Sequence, residues 1–201
     1  MRTGRPRGFD RDQALQIAME MFWQRGFAAT SIADLCAALG IAPPSLYACF
    51  GSKEDLYEAC ISHYMNNMGP RVWGGFQKAA TARDAVEAFL QDSAEELPGM
   101  NKPAGCMVTL AYAGGEGSER LNQVVEDARR ESFLLVERRI KKAIAQGEIG
   151  KKADPAAIAR YVLSVQQGMS IQARDGATAE ELREVASAAM KAWPALTGEG
   201  R

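Results

Sequence analysis

The chain has 201 residues, 47% of them hydrophobic, and its 24 basic and 25 acidic side chains leave a net charge of −1. That length can hold one small and one medium-sized domain, and near-neutrality argues against a nonspecific coat on nucleic acid. No apolar signal segment opens the chain, and its longest apolar run, 106–113, is far below the roughly 18 residues of a membrane span, so we expect a cytoplasmic protein.

The first eight residues, MRTGRPRG, carry three arginines and no acid. Their glycine and proline content is unfavourable for regular structure, so a flexible basic arm is predicted. Arg5 and Arg7 are its candidate contacts to DNA phosphates or to a minor groove. Asp10 and Gln13 then form a capping-box pattern that predicts a first helix, which Gly26 ends.

Residues 30–56 are the most informative segment, because their pattern predicts two short helices joined by a tight turn. One apolar stripe at helical spacing runs from Ile32 to Leu39, and Gly40 can end that helix in the left-handed conformation. Pro43 and Pro44 fit the first turn of a second helix that extends to about Phe50. This layout is typical of a helix-turn-helix whose second helix enters the DNA major groove.

The second helix of this unit is predicted to have one anchoring side and one open side. Leu46 and Phe50, spaced i and i+4, point inward, which leaves Ser45, Tyr47 and Ala48 outward. A face of small residues with a single tyrosine can approach another surface closely. Ser52 then resembles the N-cap of a further helix with Asp55 three residues on, so Lys53 projects from a helix N-terminus, which favours phosphate.

The remainder of the chain stays helical in pattern, with no strand-like alternation, so the predicted fold class is all-α. The helix after Ser52 is predicted to stop at Gly69-Pro70. A capping box at Thr178 and Glu181 opens the last helix, which Pro194 ends. The other predicted helices span 82–96, 104–113 (broken by Gly114, Gly115 and Gly117), 118–146, and 156–173 after Asp154-Pro155.

The four cysteines, at positions 36, 49, 60 and 106, show no CxxC spacing and have no histidine set nearby. Metal binding is therefore not expected, and no cofactor is predicted. Most of these thiols are interpreted as small buried hydrophobes, with Cys49 and Cys106 kept as candidate redox sensors. No catalytic triad, metal set or phosphate loop indicates an enzyme.

Over its first 60 residues the chain resembles the TetR family of bacterial transcriptional regulators. The resemblance implies a basic arm and three-helix DNA-binding domain over 1–53 and a larger helical ligand-binding and dimerisation domain over 54–201, about nine helices in all. The charge agrees modestly, with six basic against four acidic residues in 1–53 and 18 against 21 afterwards. The matching residues are Ala18, Phe22, Gly26, Phe27, Thr30, Ser31, Ile32, Leu39, Gly40, Ser45, Leu46, Tyr47, Phe50, Lys53 and Leu56.

By this resemblance Thr30, Tyr47 and Lys53 occupy phosphate-contacting positions, and Ser31 joins the DNA-binding set. The base-facing side of the recognition helix is implied to comprise Ala42, Pro43, Pro44, Ser45 and Ala48. That face has no Arg, Lys, Asn or Gln, the side chains that read bases with paired hydrogen bonds. Specificity is therefore expected from close backbone approach, thymine methyl contacts, the arm and DNA shape.

The last two helices carry apolar residues on more than one side, which leaves two interpretations open. The apolar sides of these two helices can complete the core of one chain, or they can pair with the same helices of a second copy. The resemblance implies a four-helix dimer bundle that sets two recognition helices about 34 Å apart. The predicted interface residues are Val162, Val165, Ala186, Ala189, Met190 and Trp193.

The middle of the chain is where the resemblance implies a small-molecule pocket. Nine Met, three Trp, five Tyr and seven Phe suit an adaptable apolar site, although such residues also form ordinary cores. We therefore predict a ligand-responsive regulator, most simply a repressor that binds a palindromic operator as a dimer and is released by a small apolar effector. Activation and thiol sensing are the open alternatives. The candidate ligand contacts are Trp73, Phe76, Phe89, Met107, Tyr112, Phe133, Gln166 and Met169.

Overall fold

The computed structural model describes residues 10–99, 101–111 and 119–198, and over these ranges the chain is helical without strands. Among the described residues no single helix is both long and apolar enough to cross a membrane. Only the helix pair Ile32–Leu39 and Pro43–Phe50, taken together across a 93° bend, meets the required length and composition. The helices are α1 (Arg11–Arg25), α2 (Ile32–Leu39), α3 (Pro43–Phe50), α4 (Lys53–Lys78), α5 (Ala82–Glu96), α6 (Met107–Leu110), α7 (Glu119–Gln146), α8 (Pro155–Arg174), α9 (Ala179–Met190) and α10 (Trp193–Thr197).

Most helix starts lie where local side-chain chemistry predicts them. Asp10 and Asp154 accept hydrogen bonds from backbone amides in the first turns of α1 and α8. Ser52 caps α4 with a full capping box, because Asp55 N–H donates to the Ser52 hydroxyl at 3.1 Å while Ser52 N–H donates to the Asp55 carboxylate at 2.9 Å. Thr178 caps α9 in the same reciprocal way. These starts are confirmed, as is the predicted helix 82–96.

The predicted end of α4 at Gly69-Pro70 is wrong, because the helix continues through Pro70 to Lys78. Proline lacks the N–H that would reach the carbonyl four residues back and disfavours a helix interior. The turns beyond Pro70 are held by tertiary packing: the Trp73 ring stacks on Phe89 of α5 at 4.1 Å, and Phe76 meets both rings edge-on. Each of the three ring pairs contributes about 0.5–1.5 kcal/mol beyond the apolar area that it buries, and together they offset a penalty of about 3 kcal/mol for one interior proline.

Two further boundaries differ from the prediction. Pro194 does not end the last helix but stands in the first turn of the short α10, where its missing N–H has no helical partner to lose. The predicted helix 104–113 shortens to Met107–Leu110, since Gly105 adopts φ +79° and donates its N–H to the Leu97 carbonyl at 2.8 Å. Gly114, Gly115 and Gly117 lie outside the described residues.

Two hydrophobic cores divide the molecule. The first packs α1 to α3 against the first half of α4, α6 and the start of α7. The second joins α5, the later part of α7, α8, α9 and Trp193, and it includes Phe76 of α4. The first core continues well beyond residue 53, because Leu56, Cys60 and Ile61 of α4 are buried in it. Helix α4 therefore belongs to both halves, and Cys106 packs against both cores.

Candidate nucleic-acid interface and effector cavity

The axes of α2 and α3 meet at 93° across a turn centred on Gly40. Gly40 adopts the left-handed conformation with φ +65°, and Ile41 N–H donates to the Cys36 carbonyl at 3.1 Å. This arrangement satisfies the last carbonyls of α2 while the chain reverses direction. The angle and the glycine turn are those of a helix-turn-helix unit, with α3 as the recognition helix.

Helix α3 buries only Leu46 and Phe50, which anchor it to the first core. Its other side is open to solvent, and Tyr47 is 49% exposed. The predicted DNA-facing residues that are exposed on or beside α3 are Ala42, Pro43, Pro44, Ser45, Tyr47 and Ala48. The structure therefore brings this predicted set together on one accessible face.

The start of α3 offers few free backbone donors. Pro43 and Pro44 have no N–H, and Ser45 N–H donates to the Ala42 carbonyl at 2.9 Å. An anion cannot be bound there by the first amides, as it is at many helix N-termini. What this face presents is apolar carbon surface with the hydroxyls of Ser45 and Tyr47.

The structure does not support a side-chain contact from Thr30 to DNA, which corrects the prediction for this residue. Thr30 is fully buried, and its hydroxyl donates to the Gly26 carbonyl at 2.8 Å. The exposed neighbour Ser31 caps α2 instead: it accepts from Asp34 N–H and donates to the Asp34 carboxylate at 2.6 Å. The Ser31 hydroxyl, together with the Ser31 backbone N–H that donates to the same carboxylate at 3.1 Å, lowers the pKa of Asp34.

Lys53 is held by an aromatic cluster at the start of α4. Its Nζ lies 4.1 Å from the centre of the Phe27 ring, which in turn contacts Phe22 and Tyr57. Desolvation in this half-buried position lowers the pKa of Lys53. A cation over a ring face is stabilised and has fewer conformations, so Lys53 is presented in a defined place.

Sequence reasoning did not select Arg11, an exposed residue in the first turn of α1. Its guanidinium lies 5.2 Å from the centre of the Phe50 ring, at the end of the recognition helix. Arg11 thus adds a cation beside α3, where the helix itself has none. Its place directly after the basic arm is the signal that could have identified it. Arg5 and Arg7 lie outside the described residues.

A cavity of about 140 Å³ lies among α4, α5, α6, α7 and α8. Trp73 and Phe89 form an aromatic wall, and the side chain of Gln166 faces the same space. Three predicted ligand contacts therefore meet at one cavity.

The remaining predicted ligand contacts are distributed elsewhere. Phe133 lines an adjoining cavity, and Met107 lines a different one that borders the end of α1. Phe76 and Met169 are buried in the second core and are absent from the lining of the 140 Å³ cavity. Tyr112 lies outside the described residues.

The cysteines divide by exposure. Cys36 and Cys60 are buried, and burial raises the pKa of the Cys60 thiol well above its usual range. Cys49 is exposed on α3, while half-buried Cys106 lines the 140 Å³ cavity. The described ranges contain no cluster of three or more potential metal-binding side chains. Thiol sensing at Cys49 or Cys106 stays a prediction.

The predicted dimer contacts require correction, because most of them lie inside the chain's own core. Val162, Ala186 and Trp193 are almost fully buried, and Ala189 and Met190 are buried beside them. Both apolar sides of α8 cover one continuous core formed with α5, α7 and α9, so the buried side chains present little surface to a second copy. Val165 is only half-buried against the same core.

The outward side of α8 carries a different set of residues. Ser164, Gly168 and Ile171 are spaced i, i+4 and i+7 and lie on one face. Ile171 is 54% exposed, and with Tyr47 it is one of the two large hydrophobic side chains that the described part of the chain leaves exposed. Small residues next to an exposed isoleucine allow another helix to approach closely.

One arginine connects α8 to the head, which is formed by α1 to α3, and a second arginine connects α7 to the start of α4. Arg174 at the end of α8 donates to the carbonyls of Trp23 at 2.8 Å and Gln24 at 3.3 Å, which end α1. Arg120 of α7 pairs with Asp55 at 2.7 Å and also with Glu58. Hydrogen bonds from Ser52 and, to a smaller extent, from Arg120 lower the pKa of Asp55 to about 2.

Comparisons with known proteins agree with this geometry. The family model described as "Bacterial regulatory proteins, tetR family" matches residues 14–60. The transcriptional repressors ComR and BdcR of Escherichia coli (strain K12) are 33% and 29% identical, over 96% and 98% of this chain and 93% and 95% of their own lengths. A cysteine-substituted variant of the TetR family regulator CifR, solved with 26-bp operator DNA, is 38% identical over 95% of this chain and all of that one, with a TM-score of 0.88.

Proposed function

The chain belongs to the TetR family of bacterial transcriptional regulators, and we propose that it represses transcription by binding a palindromic operator as a dimer, from which a small effector releases it. DNA contacts are assigned to residues 1–53, and effector binding and dimerisation to residues 54–201. The protein acts in the cytoplasm, by binding and not by catalysis. The observation that carries the proposal is the exposed, close-fitting face of α3 at 93° to α2.

The proposed DNA contacts fall into two groups. Tyr47, Lys53 and Arg11 supply hydroxyl and cationic groups for phosphates, with the arm residues Arg5 and Arg7 reaching along the duplex. The face of α3 supplies apolar carbon for thymine methyls and permits close approach of the backbone. Ser31 and the residues Ala42, Pro43, Pro44, Ser45 and Ala48 complete the proposed contact set.

Tyr47 offers a sharp test, since its exposed side chain contributes little to the fold. A hydrogen bond to a charged group contributes about 1.5–3 kcal/mol, so we expect Tyr47→Phe to weaken operator binding roughly tenfold or more. Fluorescence anisotropy on the palindromic DNA upstream of the gene measures this, and thermal unfolding checks that stability is unchanged.

The matched control for Tyr47→Phe is Gln24→Ala, which alters an exposed side chain at the far end of α1. Unchanged affinity for this control is expected. Equal affinities for the wild type and Tyr47→Phe would contradict the assignment of the α3 face. If the wild type does not discriminate the palindrome from random DNA at physiological salt, the proposed function itself is wrong.

Dimerisation is proposed to use the outward face of α8 instead of the buried stripe. Ile171 would be covered by the partner helix, with Gly168 and Ser164 allowing the backbones to approach. Ile171→Glu places a charge at this contact, and we expect a shift from dimer to monomer together with weaker operator binding. Because Ile171 is exposed in one chain, the monomer fold should survive.

Sedimentation velocity measures the oligomeric state of these variants. Ala145→Glu, at an exposed position near the end of α7, adds the same charge away from the α8 face and should stay dimeric. A dimeric Ile171→Glu protein with normal operator affinity would show that the contact lies on another surface.

A further inference from the structure

The 140 Å³ cavity is not isolated, because it adjoins a second cavity of about 490 Å³ between α7 and α8. Arg129, Leu163 and Gln167 line both cavities and form the boundary between them. The second cavity is an open groove further lined by Arg130, Phe133, Arg160 and Ser164, of which both arginines and the serine are exposed to solvent. We refer to the two spaces as the inner chamber and the outer chamber.

The inner chamber suits an apolar group of limited size. Its walls are mainly aromatic and aliphatic, with Trp73 and Phe89 stacked on one side. Its volume is close to the roughly 150 Å³ of an apolar cavity known to hold benzene in another protein. One ring, or a branched aliphatic group of similar size, therefore fits the space.

The outer chamber has the opposite character. Three arginines line it, and neither chamber has an aspartate or glutamate among its described lining residues. Arg129 is fixed by donating to the carbonyls of Val108, Thr109 and Ala111, which end α6. Arg160 lies over the Phe133 ring at 4.9 Å.

Neither Arg130 nor Arg160 forms an ion pair with a carboxylate anywhere in the described part of the chain. Unpaired arginines gathered at the edge of an apolar chamber attract an anion, and guanidinium groups match carboxylate and phosphate geometry. The charge thus lies just beyond the boundary that Arg129, Leu163 and Gln167 form with the inner chamber.

We propose that the effector is a small amphipathic anion, with an apolar body of about one ring in the inner chamber and a carboxylate or phosphate head against Arg130 and Arg160. This inference deepens the proposed function and rests on its effector site. It replaces the purely apolar effector expected from the sequence. Gln166 and Ser132, which also line the inner chamber, supply polar contacts along the body.

Four probes that share one apolar body test the head group: 4-phenylbutyrate, 4-phenylbutyl phosphate, 4-phenylbutanol and 4-phenylbutylamine. Titration calorimetry gives each dissociation constant with the full-length protein. We expect the tighter of the two anions to bind about tenfold more tightly than the alcohol, and the amine most weakly. Comparison of carboxylate with phosphate identifies the source of the anionic head.

Variants locate each half of the site. Arg130→Gln with Arg160→Gln should abolish the preference for the anion and leave 4-phenylbutanol binding unchanged. Arg138→Gln is the matched control, because it removes an exposed arginine of the same helix that lines neither chamber.

The inner chamber is tested by filling it. Val72 is half-buried and lines the inner chamber, so Val72→Trp should exclude all four probes. Val185 is also half-buried but lines neither chamber, so Val185→Trp should still bind them.

The outcomes separate this inference from the proposed function. An alcohol that binds as tightly as both anions, or an anion preference that survives loss of both arginines, overturns the inference. In that case the operator affinity of the wild type, measured without probe, still decides the proposed function. The inference and the proposed function are both supported if anion binding requires Arg130, Arg160 and the unfilled inner chamber and if it also releases operator DNA.

Discussion

The bond between α8 and the end of α1 gives a stability prediction that can be worked from the structure. Arg174 donates to the Trp23 carbonyl at 2.8 Å and more weakly to the Gln24 carbonyl at 3.3 Å. Hydrogen bonds from a charged donor contribute about 1.5–3 kcal/mol each, and solvent competition at this half-exposed site reduces the sum. We expect Arg174→Met, which retains the aliphatic stem, to lower the free energy of unfolding by about 1.5–2 kcal/mol.

For a chain of this size each kcal/mol shifts the melting temperature by about 2–4 °C, so the variant should unfold about 3–8 °C below the wild type. Arg183→Met is the matched control. Arg183 pairs with Glu95 on an exposed surface, and such a pair contributes about 0–1 kcal/mol. Thermal unfolding followed by circular dichroism measures both variants. Equal shifts for the two would refute the assignment of Arg174 as the link between α8 and the head.

Three further predictions concern single sites. The pKa of Asp55 is depressed to about 2. The stability that its hydrogen bonds with Ser52 and Arg120 contribute is therefore fully present above about pH 4 and is lost as the pH falls towards 2. In Asp55→Asn, the free energy of unfolding measured in urea should vary less with pH over that window. Gly105→Ala should cost about 2 kcal/mol or more in urea unfolding, because the residue needs φ +79° and the added Cβ would lie 2.8 Å from the Ser170 carbonyl oxygen. The double substitution Cys49→Ser and Cys106→Ser should leave operator release by the tighter of the two anionic probes intact. Oxidant that releases operator from the wild type and not from this variant would instead favour the thiol alternative.

The elements predicted correctly are those whose boundaries depend on neighbouring residues. Ser52 and Thr178 mark helix starts because each cap is a hydrogen bond within one turn. The Gly40 turn follows the same logic, since the left-handed conformation is local. The open face of α3 was also predictable, because Leu46 and Phe50 leave only one side of a short helix free.

The errors arise where distant packing decides. Pro70 lies inside α4 because Trp73, only three residues on, stacks on Phe89, and no pattern within α4 indicates that partner. The apolar pattern of α8 identifies which of its residues are hydrophobic, but it does not show whether the chain's own core or a second copy covers them. Thr30 was assigned by position in a family pattern, whereas its hydroxyl is used by the Gly26 carbonyl.

The two exposed large hydrophobic residues connect the proposed surfaces. Tyr47 lies on the face assigned to DNA, and Ile171 on the face assigned to a second copy. Ile171 is one helical turn from Arg174, which binds the last carbonyls of α1. Leu163 and Gln166, which line the inner chamber, are on the same helix α8. An effector that displaces α8 therefore acts through one helix on both the proposed dimer contact and the orientation of the head. In a two-state dimer, such a displacement couples effector binding to operator release.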